Sequence, residues 1–463
     1  MLPNLKALHT KMTPLYTTLG QGVNNGVPDF NININESSDE QNLDSREFPS
    51  MSVRLPRSDF STALTANLYH LGRHENTYIT AVDGNTWKYW NGSAWVTILT
   101  GLVSATNAES VDFIDKVILV NGSDNKYWDG SAASGDVATM PDCNYLAVHD
   151  NRIYAASNIN NALSFSALRI YNDWTTANDA GEKYVDTEDG EFASGLAAFN
   201  NHIVYFKNHS MHELYGSGPL DYSFQTISEQ IGCLSHRSIV EIKGVLYWLG
   251  KEGIYAYAGG TVPSLISEPF IGGTLDNVDY DNADKACAGT DGKVYYINIP
   301  MIGGTYLTIT YDTEYKTWHL EDAIQFTQFV YFDYELYGLE TVTKFVQFMK
   351  DKDGTEVVTW SKETMRFLLD TPSLKKHLAY IYVVFDLPTA STFKIAISTE
   401  DGAYVDVKTY TVDSDIQNVR LPVPVATAHN CDWFKLKFYG TGNCTIHRAE
   451  MQLRSKGSEY SRG

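Results

Sequence analysis

The chain has 463 residues, with 35 basic against 56 acidic for a formal net charge of −21, and aromatic residues make up 13% of it. Such an acidic balance argues against a surface that grips nucleic acid, which needs Lys and Arg against phosphate, and against docking on anionic lipid. The aromatic content excludes a disordered chain, and five scattered cysteines without a Cys-x-x-Cys pair indicate neither a zinc site nor a disulfide framework; only Cys431 and Cys444 could face each other across neighbouring strands, and all five are expected to be reduced.

Residues 1–60 read as an irregular N-terminal arm. Its opening stretch lacks the apolar core of a secretory signal, and "QGVNNGVPDFNININESSDEQNLDSREFPS" is rich in Asn, Gly and acidic residues with little periodicity. The arm is expected to order against a neighbouring subunit, so that removing residues 1–40 would leave a folded monomer unable to assemble. No apolar run along the chain approaches the ~20 residues needed to cross a bilayer, so no membrane embedding is expected.

From 61 to 353 one grammar recurs. "NLYHLGRHENTYITAV" (67–82) is a weak first copy, followed by "SVDFIDKVILV", "YLAVHDNRIYAAS", "GLAAFNNHIVYFK", "SIVEIKGVLYWLG", "KACAGTDGKVYYINI" and "FVYFDYELYGLE". Each is a pair of apolar runs around a short polar turn, the pattern of a β-hairpin. A third strand carrying a large aromatic follows each: Tyr89, Tyr127, Phe165, Tyr215, Tyr257, Tyr311 and Phe348. A period near 40 residues with several strands per unit is that of a β-propeller, of about seven blades, or six if the first copy is set aside. Second strands such as "KVILV" and "HIVYF" are apolar on both faces, as sheets pressed between two neighbours must be. The aromatics are then blade-core residues that fill the wedge between blades. "KYWNGSA" (88–94) and "KYWDGSA" (126–132) belong to two of these units, with Asn91-Gly92 and Asp129-Gly130 as turns.

From 354 to 455 six short alternating strands, "LAYIYVVFDL" to "TIHRAEMQL", read as a C-terminal β-sandwich, and 456–463 is a polar tail. The fold class is therefore all-β, a propeller followed by a sandwich.

The chemistry screen is negative for nucleotide loops, the G-x-S-x-G elbow and H-E-x-x-H. No catalytic residue, metal ligand or cofactor is assigned. His209 and His212 should point to opposite faces of a strand, and the acidic loops 186–191 and 276–284 match no calcium loop. Exposed Trp87, Trp95 and Trp174 would suit sugar stacking if the protein were a carbohydrate-binding receptor module, and a propeller glycoside hydrolase is a further alternative.

"NLDSREFPSMSVRLPRS" (42–58) places Pro49, Arg54 and Arg57 ahead of the repeats, and one blade runs Glu213–Gly216, then Phe224–Cys233, then Ser238–Val240. In these features the chain resembles virion propeller proteins of tailed bacteriophages, nearest the tail hub or nozzle of short-tailed phages. The resemblance implies a structural protein assembled in the bacterial cytoplasm into the virion tail. There it would form a homo-oligomeric ring, a hexamer, beside the portal-adaptor and tail fibres. The ring would extend the DNA channel for ejection, with DNA only as passing cargo.

Overall fold

The computed structural model describes residues 12–455 apart from 132, 186–188, 261, 369–374, 401 and 412–413. The polar tail and part of the 186–191 loop lie outside the described residues.

Seven four-stranded antiparallel sheets follow one another along the chain. They begin with the first strands Leu68–His74, Glu109–Phe113, Tyr145–His149, Gly195–Phe199, Val240–Ile242, Cys287–Thr290 and Phe326–Phe332. These first strands meet their neighbours around an axis, by way of the turn His236–Ser238 between blades four and five, and the last returns to the first. The ring is thus a seven-bladed β-propeller, and the weak first copy is a complete blade. Two-residue turns with positive φ at both positions close the hairpins at Asp150–Asn151, Asn200–Asn201, Lys243–Gly244 and Asp333–Tyr334. That geometry matches the right-handed twist of the flanking strands, and Asn, Asp and Gly tolerate it best.

All seven aligned aromatics fall on the third strand of successive blades. Phe165, Tyr257 and Tyr311 are buried, while Tyr89, Tyr127, Tyr215 and Phe348 are half-buried. Several span blade joints: Phe165 meets Tyr222 edge-on at 5.2 Å, and Tyr257 lies 5.7 Å from Phe199. Second strands are dry on both faces, as Lys116–Val120 and Val245–Gly250 illustrate.

The repeated heptapeptide is the end of the third strand and the turn after it in blades one and two. Asn91 Oδ1 accepts from the Ser93 amide and hydroxyl and the Ala94 amide; Asp129 Oδ1 accepts from the Ser131 amide and hydroxyl and the Ala133 amide. The short polar side chain folds the turn, and glycine follows at φ 95° and 79°. At Gly130 a Cβ would also lie 2.5 Å from His74 Nε2, so the second turn has a packing constraint that the first lacks.

Blade seven takes its fourth strand from Ser58–Asp59, paired with Val346–Phe348, so the ring is closed by chain from before blade one. Over residues 12–59 this corrects the expectation of an irregular arm, and residues 1–11 of that arm lie outside the described residues. Within it Met12–Thr17 pairs with Thr445–Ser455, Ser37–Gln41 with Thr359–Thr364, and Met51–Val53 with Leu43–Asp44 and with Thr445–Ser455. The described part of the arm orders against its own sandwich and, at Val23–Gly26, against the propeller, where the Val23 amide donates to the Trp318 carbonyl and the Asn25 and Gly26 amides to the Pro269 carbonyl. Its polar composition hides this because its strands are short and their buried polar groups are answered by residues some 300 positions away, beyond any local pattern.

The sandwich has a seven-stranded sheet built on Lys376–Leu387 and Thr445–Ser455, and a five-stranded sheet built on Phe434–Thr441 and Thr392–Thr399. Alternation along Lys376–Leu387, reset by a register shift between Leu378 and Tyr380, sends Leu378, Ile381, Val383 and Phe385 inward against Trp360, Phe393 and Phe438. All five cysteines are free and buried, Cys431 and Cys444 included.

Residues 37–59 join the two domains through buried polar groups. Arg54, fully buried, donates from Nη2 to Asp322 and Glu356 at 2.7 Å each, from Nη1 to Glu356 at 3.0 Å, and from Nε to Asn42 at 3.0 Å. Arg57 donates to Glu321 at 2.5 Å. A second cluster links Glu40 to His319 at 2.6 Å, His319 to Ser45 at 2.7 Å, and Lys362 to Ser37 and Glu40. The Arg-x-x-Arg of residues 54–57 is therefore internal ionic structure.

Candidate functional site

The connections from the fourth strand of one blade to the first strand of the next all emerge at one end of the axis. Because first strands are innermost, the residues just ahead of them converge there. Asn67, Tyr69, Asn107, Asn144, Tyr145 and Ser194 come from the first four blades, and His236, Lys285, Tyr306 and Gln325 from the others. Together they line a cavity of about 430 Å³.

Its floor is a bridge across the axis. Arg237, ahead of blade five, donates from Nε to Glu109 of blade two at 2.5 Å, from Nη2 to the Ala108 carbonyl at 2.7 Å, and from Nη1 to the Thr327 carbonyl of blade seven at 3.4 Å. Gln328 donates to the other Glu109 oxygen at 3.3 Å and accepts from His70 Nδ1 at 2.7 Å. Below the bridge a second cavity of about 430 Å³ runs down the axis between Ala147, Ala197 and Gly289, sharing Glu109, His236 and Arg237 with the mouth. The side-chain bridge therefore divides the axial space in two.

The electrostatics follow from burial. Burial alone would raise Glu109, but Arg237, His236 and His70 outweigh it and hold the carboxyl below its usual range. Burial pushes His70 down to about 4, and His212 likewise. Below pH 6.5 an unfolded imidazole takes up a proton that these folded ones refuse until about pH 4. Stability should therefore fall as pH drops from 6.5 to 4, by about 3 kcal/mol for His70. Glu40, Asp322 and Glu356 are depressed by their cationic and hydrogen-bonding partners against the opposing effect of burial, so they extend the loss below about pH 4.5. Asp39 and Asp112, raised chiefly by burial, offset part of it. Guanidinium midpoints measured from pH 8 to 3.5 should be flat above 7 and decline steadily below 6.5.

The tryptophans proposed for sugar stacking do not form a platform. Trp87 is 0% and Trp174 7% exposed, both inside blade joints, because an aromatic beside a tight turn here packs inward. Trp95 is half-buried beside Trp90, its Nε1 donating to the Thr62 carbonyl. His209 lies in the turn before its strand, against Glu191, whereas His212 is buried between Ser210 and Thr226. Among the described residues no group of three His, Cys, Asp or Glu is placed to hold a metal, and residues 276–284 fold largely into short 3-10 turns. Glu213 and Cys233 of the fourth blade and the connection after it are both buried, Glu213 accepting from the Tyr215 and Tyr257 hydroxyls. Sequence reasoning missed the mouth; the recurrent polar residue ahead of each first strand was its only local signal.

No family model matches the chain, and no curated protein does. Among solved structures it is similar to the extracellular domain of a one component system from B. thetaiotaomicron, at 10% identity and TM-score 0.45 over 66% of this chain. The chain spans 41% of that domain's length. The WD40 domain of Neurospora crassa Pan2 gives 10% identity and TM-score 0.41 over 68% of this chain and 99% of that one. The N-terminal domain of Nup159 gives 10% and 0.38, over 64% and 94%. No helix is long and apolar enough to cross a membrane among the described residues.

Proposed function

We propose that the protein is a structural component of a tailed-phage virion, a tail hub or nozzle subunit. Its copies would form a ring around the DNA path, between portal-adaptor and tail fibres. The observation that carries this reading is the joint made by residues 37–59, where the chain closes the propeller, contributes strands to the sandwich and buries two ionic clusters between them. Two domains tied in this way make a rigid block, which suits a part that transmits force and holds a fixed angle to its neighbours.

The bridge from Arg237 to Glu109 adds a constraint. DNA would not pass along the propeller's own axis, so the conduit is the space enclosed between copies. A charge of −21 per copy favours a wall that repels the polyanion moving past it. The reading assigns the chain no reaction.

Electron microscopy of the purified protein and of virions tests it. Closed rings, six-fold by the phage resemblance, lying on the tail axis are the expected result. Particles that stay monomeric at every concentration, or density at a peripheral spike, would overturn it.

A further inference from the structure

The axial mouth contains polar groups that the fold itself leaves unanswered. Ser194 Oγ is buried, lines the cavity and has no hydrogen-bond partner among the described residues. The Tyr145 hydroxyl has none among the described residues, and its ring packs 5.0 Å from His236. The Leu196 amide donates to His236 Nδ1, so the neutral ring carries its proton on Nε2, which is free to donate. Asn107 and Asn158 stand exposed at the rim, with their side-chain amides uncommitted.

The charged groups, by contrast, are largely satisfied. Glu109 is neutralised by Arg237, whose guanidinium is taken up by Glu109 and two carbonyls. Lys285 donates to Asn282 at 2.5 Å, leaving Asp284 alone at the wet rim. An ion entering the mouth would meet a floor without uncompensated charge. A hydroxyl-rich neutral molecule would meet donors and acceptors spaced around tyrosine rings.

From this we propose that the mouth is a binding site for a neutral saccharide, a mono- or disaccharide unit in size. Its apolar face would lie on the rings of Tyr145, Tyr69 and Tyr306, and its hydroxyls would reach Ser194, Asn107 and Asn158. The cavity of about 430 Å³ is in the range of small-molecule sites, roughly 300–1,000 Å³. Tyrosine offers both an apolar face and a polar edge to such a ligand. The proposal does not rest on the structural reading, and its test does not read ring formation, so either can fail without the other.

Saturation-transfer NMR on the full chain tests it, with glucose, galactose, N-acetylglucosamine and lactose as separate probes at millimolar concentration. Transfer to at least one sugar is expected. It should weaken at least tenfold in Tyr145→Ala and several-fold in Asn158→Ala, a rim variant that leaves the core untouched. Trp95→Ala, outside the mouth, should bind as the parent does. No transfer to any of the four sugars, transfer unchanged by both mouth variants, or loss in Trp95→Ala would each overturn the proposal.

Discussion

Arg54→Met is expected to destabilise the protein by about 3–5 kcal/mol, the usual cost of removing one partner from a buried ionic cluster. The arginine side chain is 0% exposed, and its loss would leave Asp322 and Glu356 short of a cation, with Arg57, already paired with the buried Glu321, as the remaining guanidinium for three carboxylates. The charge left behind does the damage more than the missing bonds do. Adding Asp322→Asn and Glu356→Gln to Arg54→Met should therefore recover part of the loss. The damage should also be local. Arg54 stands between Met51–Val53 of the sandwich and Ser58–Asp59 of blade seven, so amide exchange should quicken first at Val346–Phe348, where the ring is closed. A loss under about 1 kcal/mol in guanidinium unfolding, or no gain from the added amides, would contradict the account.

Trp128→Ala is the second large effect, at about 3–5 kcal/mol. Trp128 is 1% exposed and belongs to blade two, yet it packs on blade one: stacked on Tyr89 at 4.9 Å, with His74 at 5.4 Å, Tyr78 at 5.6 Å and Trp87 at 6.4 Å. Its indole N–H donates to the Ser131 carbonyl at 3.1 Å. Truncation would open a cavity between two blades that cannot slide together, because each is also held by its other neighbour. Trp90 occupies the same place in the first copy of the heptapeptide but is half-buried against Trp95 and Phe60. Trp90→Ala should cost less than half as much. Equal losses in the two variants would mean that the local motif, and not the blade joint, sets the energy.

That contrast between Trp90 and Trp128 marks how far local reading reaches. Hairpins such as Tyr145–His149 with Arg152–Ala156 were legible because alternation and a polar two-residue turn act between neighbours in sequence. The third-strand aromatics were legible from their period. The axial mouth was not, since Asn67, Asn107, Tyr145 and Ser194 are each unremarkable and become a site only when separate blades face one axis. The tryptophans misled for a related reason: a large ring beside a turn looks available until the neighbouring blade covers it, as happens to Trp87.

Composition and repeat were enough to establish an all-β chain of propeller and sandwich, because strand formation and hairpin closure depend on side chains a few residues apart. Packing in three dimensions decided the rest: that residues 12–59 are built into the sandwich and the propeller, that Arg54 and Glu40 are buried ions, and that Arg237 spans the axis to Glu109. Those outcomes rest on contacts between residues about 130 to 440 positions apart. Such contacts are chosen by the shape of the whole packed molecule, and no short window of residues carries that shape.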